Sequence, residues 1–371
     1  METVKILHCA DLHIGAALSF LGEKAELRRR EILLTFEKIV DLCAEHNVQV
    51  LLIAGDLFDS NLIENHFTSA VINKINSAPD LKVVFSAGNH DPFNPRSPFF
   101  TKKPQNFHIL STDSGYIDFK ELNLRIYGRS FETAFLNDGS ASFIPENNNT
   151  INILLQHGDL FADSESQYNP ISRSFIENSK MDYIALGHIH KRSEIEKLGN
   201  TYFAYSGCPE GQGFDEIGEK GVYIGNIGKG ICELEFVPTA KRKHITENID
   251  ISTASDSLSD CILNLLENKY GEAYTQNLYK IVLTGSTRED NKPDLSDITA
   301  RLESKLYFVK IKDRTEEFFD LKELSKEQSL KGIFVKKMLE KISQNENDER
   351  LKAALLLGLK AFDGEVKFDE N

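Results

Sequence analysis

Five short apolar runs in this chain each end on a polar signature whose side chains can bind metal, and that coincidence constrains the fold more than any other feature. Residues 4–10 lead into Asp11-Leu12-His13, residues 48–54 into Gly55-Asp56, and residues 82–87 into Gly88-Asn89-His90-Asp91; residues 151–156 lead into His157-Gly158-Asp159, and residues 183–186 into Gly187-His188-Ile189-His190. Apolar stretches of this length, bounded by Gly or Asp, suit strands covered on both faces. Where crossover helices join such strands, their carboxyl ends line one edge, so donors as distant in sequence as Asp11 and His190 can meet in one crevice. The pattern predicts an α/β fold with a polar centre at the strand ends.

The donors fit two metals better than one. Asp11, His13, Asp56, His157, His188, His190 and the amide oxygen of Asn89 exceed the four groups that a single tetrahedral ion uses. One carboxylate is then expected to bridge. Asp56 is the candidate, because Gly55 before it lets the backbone turn sharply and bring a short side chain between the ions. Two divalent ions about 4 Å apart can hold a phosphate oxygen and stabilise the charge of an in-line displacement. The implied chemistry is phosphoester hydrolysis, and mixed imidazole and carboxylate donors suit manganese, iron or zinc.

Any one of these motifs alone reads as an ordinary turn or cap, and the joint pattern carries the argument. His90 follows a potential ligand, so its side chain points elsewhere and is free to act as an acid for the leaving oxygen or as a charge stabiliser. Asp91 is expected to orient it, the bland reading being a turn cap before Pro92. Asp59 is read as a supporting residue. His8, inside the first run, reads as a hydrogen-bonded core residue near the site, and His46, His66, His108 and His244 as surface residues.

The set D-x-H, G-D-x-F-D, G-N-H-D, H-G and G-H-x-H resembles the calcineurin-like metallophosphoesterase superfamily, and within it the SbcD-type DNA repair exonucleases. Leu7-His8-Cys9-Ala10-Asp11-Leu12-His13-Ile14-Gly15, Tyr183-Ile184-Ala185-Leu186-Gly187-His188-Ile189-His190-Lys191, and Tyr205-Ser206-Gly207-Cys208-Pro209 followed by Gly218-Glu219-Lys220-Gly221 are similar to the YhaO-like bacterial branch. The motif match covers residues 1 to about 225. The resemblance implies a β-sandwich flanked by helices, with Asp11, His13, Asp56 and His190 holding one ion, Asp56, Asn89, His157 and His188 the other, and His90 as the catalytic histidine. It also implies two manganese ions, DNA as substrate, a homodimer and an SbcC-type coiled-coil ATPase as partner. Some relatives carry a second histidine where this chain has Asp59, which puts any DNA-positioning duty of that residue in doubt.

At 371 residues the chain exceeds what one core usually supports. Residues 1–238 read as the phosphoesterase domain, 239–315 as a smaller α+β unit resembling the family's capping domain, and 316–371 as helical and partner-binding. In the middle segment the pattern is strand 245–251, helix 257–270, strand 278–284, helix 295–302 and strand 307–312. In the last, Leu330, Phe334, Val335, Met338, Leu339 and Ile342 share one helical face, and after a polar break Leu351, Leu355, Leu356, Leu359 and Phe362 form a second. The resemblance implies that these faces dock on the ATPase; packing within their own domain is the alternative.

Met1 leads almost directly into a strand, and no apolar run reaches the length of a membrane span, so a cytoplasmic protein is expected. Five widely spaced cysteines (Cys9, Cys43, Cys208, Cys232, Cys261) favour reduced thiols. Charge speaks against strong autonomous DNA binding: the net charge is −14, with 21 Lys+Arg against 32 Asp+Glu in residues 1–238 and 22 against 25 beyond. Arg125, Arg129, Lys191 and Arg192 are basic groups that could face a phosphate backbone, the ordinary and preferred reading of each one alone being a solvated surface charge, and a partner is expected to supply much of the binding. A phosphomonoesterase or cyclic-nucleotide phosphodiesterase, and a non-catalytic scaffold on the same fold, are the rival readings.

Overall fold

Alternation along the first strands decides the layering. The computed structural model describes residues 2–111, 115–137, 143–145, 149–161, 166–252, 257–287, 293–345 and 348–362. In chain order the strands through residue 238 are β1 (Thr3–Cys9), β2 (Val50–Ile53), β3 (Lys82–Phe85), β4 (Phe107–Ile109), β5 (Tyr116–Phe119), β6 (Leu124–Gly128), β7 (Ile151–His157), β8 (Tyr183–Gly187), β9 (Glu196–Leu198), β10 (Thr201–Tyr205), β11 (Gly221–Gly228) and β12 (Ile231–Pro238). They form two six-stranded sheets, ordered β12-β11-β1-β2-β3-β4 and β5-β6-β7-β8-β10-β9. Side chains alternate faces along a strand. Leu7, Cys9, Leu51, Ile53, Val83 and Phe85 therefore face the helices α1 (Ala25–Glu45) and α2 (Asn65–Asn76), meeting Ile32, Phe36, Ile39, Phe67 and Val71. Val4, Ile6, Val50, Leu52 and Val84 face the second sheet instead, against Ile126, Ile153, Leu155, Tyr183 and Ala185.

The outer side of that second sheet buries Leu154, Ile184, Leu186 and Phe203 under Ile171, Ile176 and Met181, around the short helix α4 (Arg173–Asn178); another short helix, α3 (Pro98–Thr101), precedes β4. The result is a sandwich of two sheets flanked by helices, the expected fold class. The five motif-bearing runs do not share a single sheet. β1, β2 and β3 are parallel neighbours in the first, and β7 and β8 are parallel neighbours in the second.

Beyond residue 238 come β13 (His244–Asp250), α5 (Leu258–Tyr270), β14 (Leu278–Thr284), β15 (Ser286–Thr287), α6 (Leu295–Glu303), β16 (Phe308–Asp313) and β17 (Glu316–Glu317), with β13-β14-β16 forming a three-stranded sheet. The chain divides into two compact units, one of Met1–Thr246, Glu272–Lys280 and Leu306–Val309, the other of Glu247–Gly271, Ile281–Lys305 and Lys310–Asn371.

The second unit ends in α7 (Leu321–Leu324), α8 (Leu330–Gln344) and α9 (Glu349–Phe362). Here the expectation of two faces open to a partner needs correction. Val335, Leu355 and Leu359 are buried together, with Phe334, Met338, Leu339 and Ile342 packed around them. The two apolar faces satisfy each other, and what remains exposed is Leu330, Ile333, Leu356, Leu357 and Phe362. No helix among the described residues is long and apolar enough to cross a membrane. All five cysteines are free thiols, three of them buried; Cys261 is exposed.

Candidate metal centre

The donors converge because three turns interlock. Asp11 N donates to Gly55 O (3.1 Å), His13 N to Asp56 O (2.9 Å) and Ile14 N to Leu57 O (2.9 Å), tying the turn after β1 to the turn after β2. Asp91 closes the third: its carboxylate accepts from the amides of Gly88 (2.9 Å), Phe58 (3.0 Å) and Asp56 (3.2 Å). Asp11 (φ 54°), His13 (φ 46°), Asp56 (φ 49°) and His188 (φ 100°) all adopt positive φ, a strained choice for residues with side chains that clusters at functional sites. Two glycines permit close approach, Gly187 between the two sheets and Gly88 between the turns after β3 and β2. A Cβ on Gly187 would lie 1.8 Å from Ala54 O, and one on Gly88 would lie 2.1 Å from Asp56 Oδ1.

Within this frame Asp56 Oδ2 lies 3.6 Å from His13 Nε2 and 3.4 Å from His157 Nε2, one oxygen between two imidazoles. On the first side His190 Nε2 is 3.1 Å from His13 Nε2, and Asp11, His13 and His190 offer ligand atoms within 4.8 Å of one another. On the second, Asn89 Oδ1 is 2.9 Å from His157 Nε2, and Asp11, Asp56 and His157 form another such group. His188 is held apart. Its backbone N donates to both oxygens of Asp11 (3.0 and 3.1 Å), its ring centroid is 5.1 Å from that of His157, and its Nε2 faces Asp159 Oδ1 at 3.2 Å.

The far ring nitrogens explain why these atoms want a cation. His13 Nδ1 meets Asp59 Oδ1 (3.2 Å), His190 Nδ1 meets Glu216 Oε1 (2.5 Å) and His157 Nδ1 meets Ala54 O (2.9 Å). Each oxygen accepts, so each Nδ1 carries a hydrogen, and in the neutral ring Nε2 presents its lone pair to another lone-pair atom. Lone pairs facing at about 3 Å repel unless something positive lies between them. Protonation follows the same logic. Burial, with the Asp56 charge, drives Asp11 up to about 8. Burial also raises Asp56, but His157, His13 and His90 outweigh it and hold its carboxyl below the usual range. Burial lowers His190, yet Glu216 and Asp11 push it up to about 9; burial lowers His157 to about 4, which keeps it neutral and able to ligate. Asp56 and His157 already stand in the form that ligates, whereas Asp11 and His190 become donors for a divalent ion by shedding a proton.

Some expectations change. Asp91 does not orient His90, since its oxygens are taken by backbone amides. His90 Nδ1 instead meets Asp59 O (3.1 Å), while His90 N donates to Asp56 Oδ1 (2.9 Å) and its side chain is 44% exposed. Asp59 therefore touches both His13 and His90. His8 is buried as expected, bonded to Tyr183 Oη and Leu186 O. His244, expected at the surface, is buried beside Phe214, and burial lowers it to about 4; an aromatic neighbourhood assembled from distant segments left no local trace. Arg125 is bound by Asp118 (2.6 and 2.9 Å), and Arg192 lies 4.2 Å over the Phe236 ring. Sequence reasoning missed Glu216, and it missed Tyr168, whose ring stacks on His188 with centroids 4.8 Å apart. Asp159 was at least visible in the His157-Gly158-Asp159 motif.

The uncharacterized metallophosphoesterase YhaO of Bacillus subtilis is 27% identical over 252 residues, 64% of this chain and 60% of the relative. The DNA double-strand break repair protein Mre11 of Methanopyrus kandleri is 23% identical over 266 residues, 63% of this chain and 56% of the relative. The SbcD component of the nuclease SbcCD of Rhodobacter capsulatus is 34% identical over 114 residues, 29% of this chain and 27% of the relative. The chain thus spans three fifths or less of the length of these relatives. The calcineurin-like phosphoesterase model matches residues 4–192, just over half of the chain, and the chain belongs to that family of metal-dependent hydrolases.

Proposed function

We propose that this chain is a two-metal-dependent phosphodiesterase that hydrolyses DNA, an exonuclease with endonucleolytic cleavage as a second mode, serving in DNA repair as the nuclease partner of an SbcC-type ATPase. The observation that carries the reading is Asp56 Oδ2, set between His13 Nε2 and His157 Nε2 with further donors on either side. Asp11, His13, Asp56 and His190 would hold one ion, and Asp56, Asn89, His157 and His188 the other. Bound divalent ions supply Lewis acidity toward a phosphate and lower the pKa of water. The chain's own residues do the rest. His90, anchored through Nδ1 to Asp59 O and 44% exposed, would protonate a leaving oxygen or stabilise charge on the phosphate. Asp91 holds the turn that presents Asn89 and His90.

Manganese is the proposed ion, and residues 239–315 and 316–371 the proposed DNA-capping and partner-binding segments. Leu330, Ile333, Leu356 and Leu357 are the apolar side chains left to meet the ATPase. The names of the Mre11 and SbcCD relatives support DNA as substrate. The net charge of −14 favours the second reading, a phosphodiesterase or phosphomonoesterase for small nucleotides. The test incubates the purified full chain and Mn2+ with end-labelled linear duplex DNA, a cyclic nucleotide and a nucleoside monophosphate. DNA cleavage that EDTA abolishes supports the proposal; turnover of the small esters with DNA left intact overturns it.

A further inference from the structure

The Tyr205-Ser206-Gly207-Cys208-Pro209 motif and the Gly218-Glu219-Lys220-Gly221 turn have no duty in the chemistry above, and Glu216 lies between them. All three fall outside the residues that match the family model. The loop they bound closes on a single residue, His190. Cys208 N donates to His190 O (3.2 Å), Lys220 Nζ donates to the same oxygen (2.9 Å), and Glu216 Oε1 accepts from the ring at Nδ1 (2.5 Å). Glu216 is itself fixed, for its Oε2 accepts from Gln212 N (2.7 Å) and Cys208 Sγ (3.4 Å), and its side chain is only 12% exposed.

We propose that Glu216 is the positioning residue of His190: its carboxylate holds the imidazole in the tautomer and rotation that aim Nε2 at the metal side. The inference rests on His190 being a ligand, as in the two-metal reading above. His190, Cys208 and Glu216 lie close enough to hold an ion by themselves, but the ring and the thiol both direct hydrogens at Glu216, which makes it an acceptor between two donors rather than a ligand. Without the carboxylate the ring loses its anchor at Nδ1, while the Cys208 and Lys220 contacts still secure the His190 backbone. Partners of this kind change metal affinity by about 10- to 100-fold. The effect should fall on the ion that His190 ligates and spare the one beside His157.

The test is calorimetric titration of MnCl2 into the metal-free full chain, the Glu216→Ala variant and the isosteric Glu216→Gln variant, with thermal unfolding of each. The expected result is two ions in the parent, an affinity loss of about 10- to 100-fold for one ion alone in Glu216→Ala, partial recovery in Glu216→Gln, whose amide oxygen can still accept from Nδ1, and a near-parental Tm in both. Parental affinity at both ions in Glu216→Ala overturns the role of Glu216 and leaves the two-metal reading standing. Equal weakening of both ions with a fallen Tm in both variants also overturns it, because it marks a collapsed loop. A parent that binds no Mn2+ overturns the two-metal reading and this inference with it.

Discussion

The metal centre and the helical hairpin of α8 and α9 were equally conspicuous in sequence, yet their residues met different ends. Polar groups such as Asp11 and His157 became wholly buried at strand ends, a placement that costs several kcal/mol unless each finds a partner. A cluster of such groups therefore has few explanations, and metal binding is the one that suits this set. Apolar periodicity is less specific: it announces that a helical face will be covered and says nothing of what covers it. In α8 and α9 each helix covers the other.

The sharpest way to break this contrast is to remove the proposed shared ligand. Asp56→Ala should lose most bound metal and all detectable phosphodiesterase activity while the fold persists, because one oxygen serves both sides. Metal analysis beside circular dichroism checks it, and two tightly bound ions in the variant would refute the bridge. A step smaller in effect, His90→Ala should keep near-parental metal content and lose on the order of 100-fold in turnover. A variant as fast as the parent removes His90 from the chemistry.

Protons should compete with metal at the same centre. In the metal-free protein burial places the Asp11 carboxyl at about 8, and Glu216 and Asp11, outweighing burial, hold the His190 imidazolium up to about 9. Both groups must shed a proton to ligate. Affinity for Mn2+ should therefore fall as pH drops below these values, by on the order of tenfold per pH unit for each proton displaced. Titrations from about pH 9 to 6 measure the slope, and a flat profile would mean that these groups do not ligate.

Much of the centre was legible because its converging donors follow apolar runs directly, so the strand and the donor are read together. The α+β pattern after residue 238 was legible for a similar reason, each element being long enough to show its own period. Glu216 was not. It sits in a loop joining β10 to β11, and its role depends on a fold-back onto His190 that leaves no periodic trace. Asp91 misled for the opposite reason: its place beside His90 made it look like a partner, whereas successive side chains point apart and its carboxylate caps the backbone of Asp56 and Phe58. The assignment of the five runs to two sheets was also out of reach, since parallel buried strands look alike whichever sheet they join.

The hairpin offers the smallest effect and the finest distinction. A chain ending near residue 320 lacks α7, α8 and α9 and should still bind two metals yet fail to hold an SbcC-type ATPase, but truncation removes core and surface together. Two point changes separate them. Phe334, packed around Val335, Leu355 and Leu359, contributes to the hairpin core, so Phe334→Ala should destabilise it by about 2 kcal/mol, less than a fully buried phenylalanine. Leu357 is 57% exposed, so Leu357→Ser should alter unfolding by no more than about 0.5 kcal/mol. If the outer face docks the ATPase, Leu357→Ser should nevertheless weaken capture in a pull-down while thermal melts stay unchanged. Loss of capture only in the destabilised Phe334→Ala chain would mean that the partner needs the hairpin folded but does not touch this face.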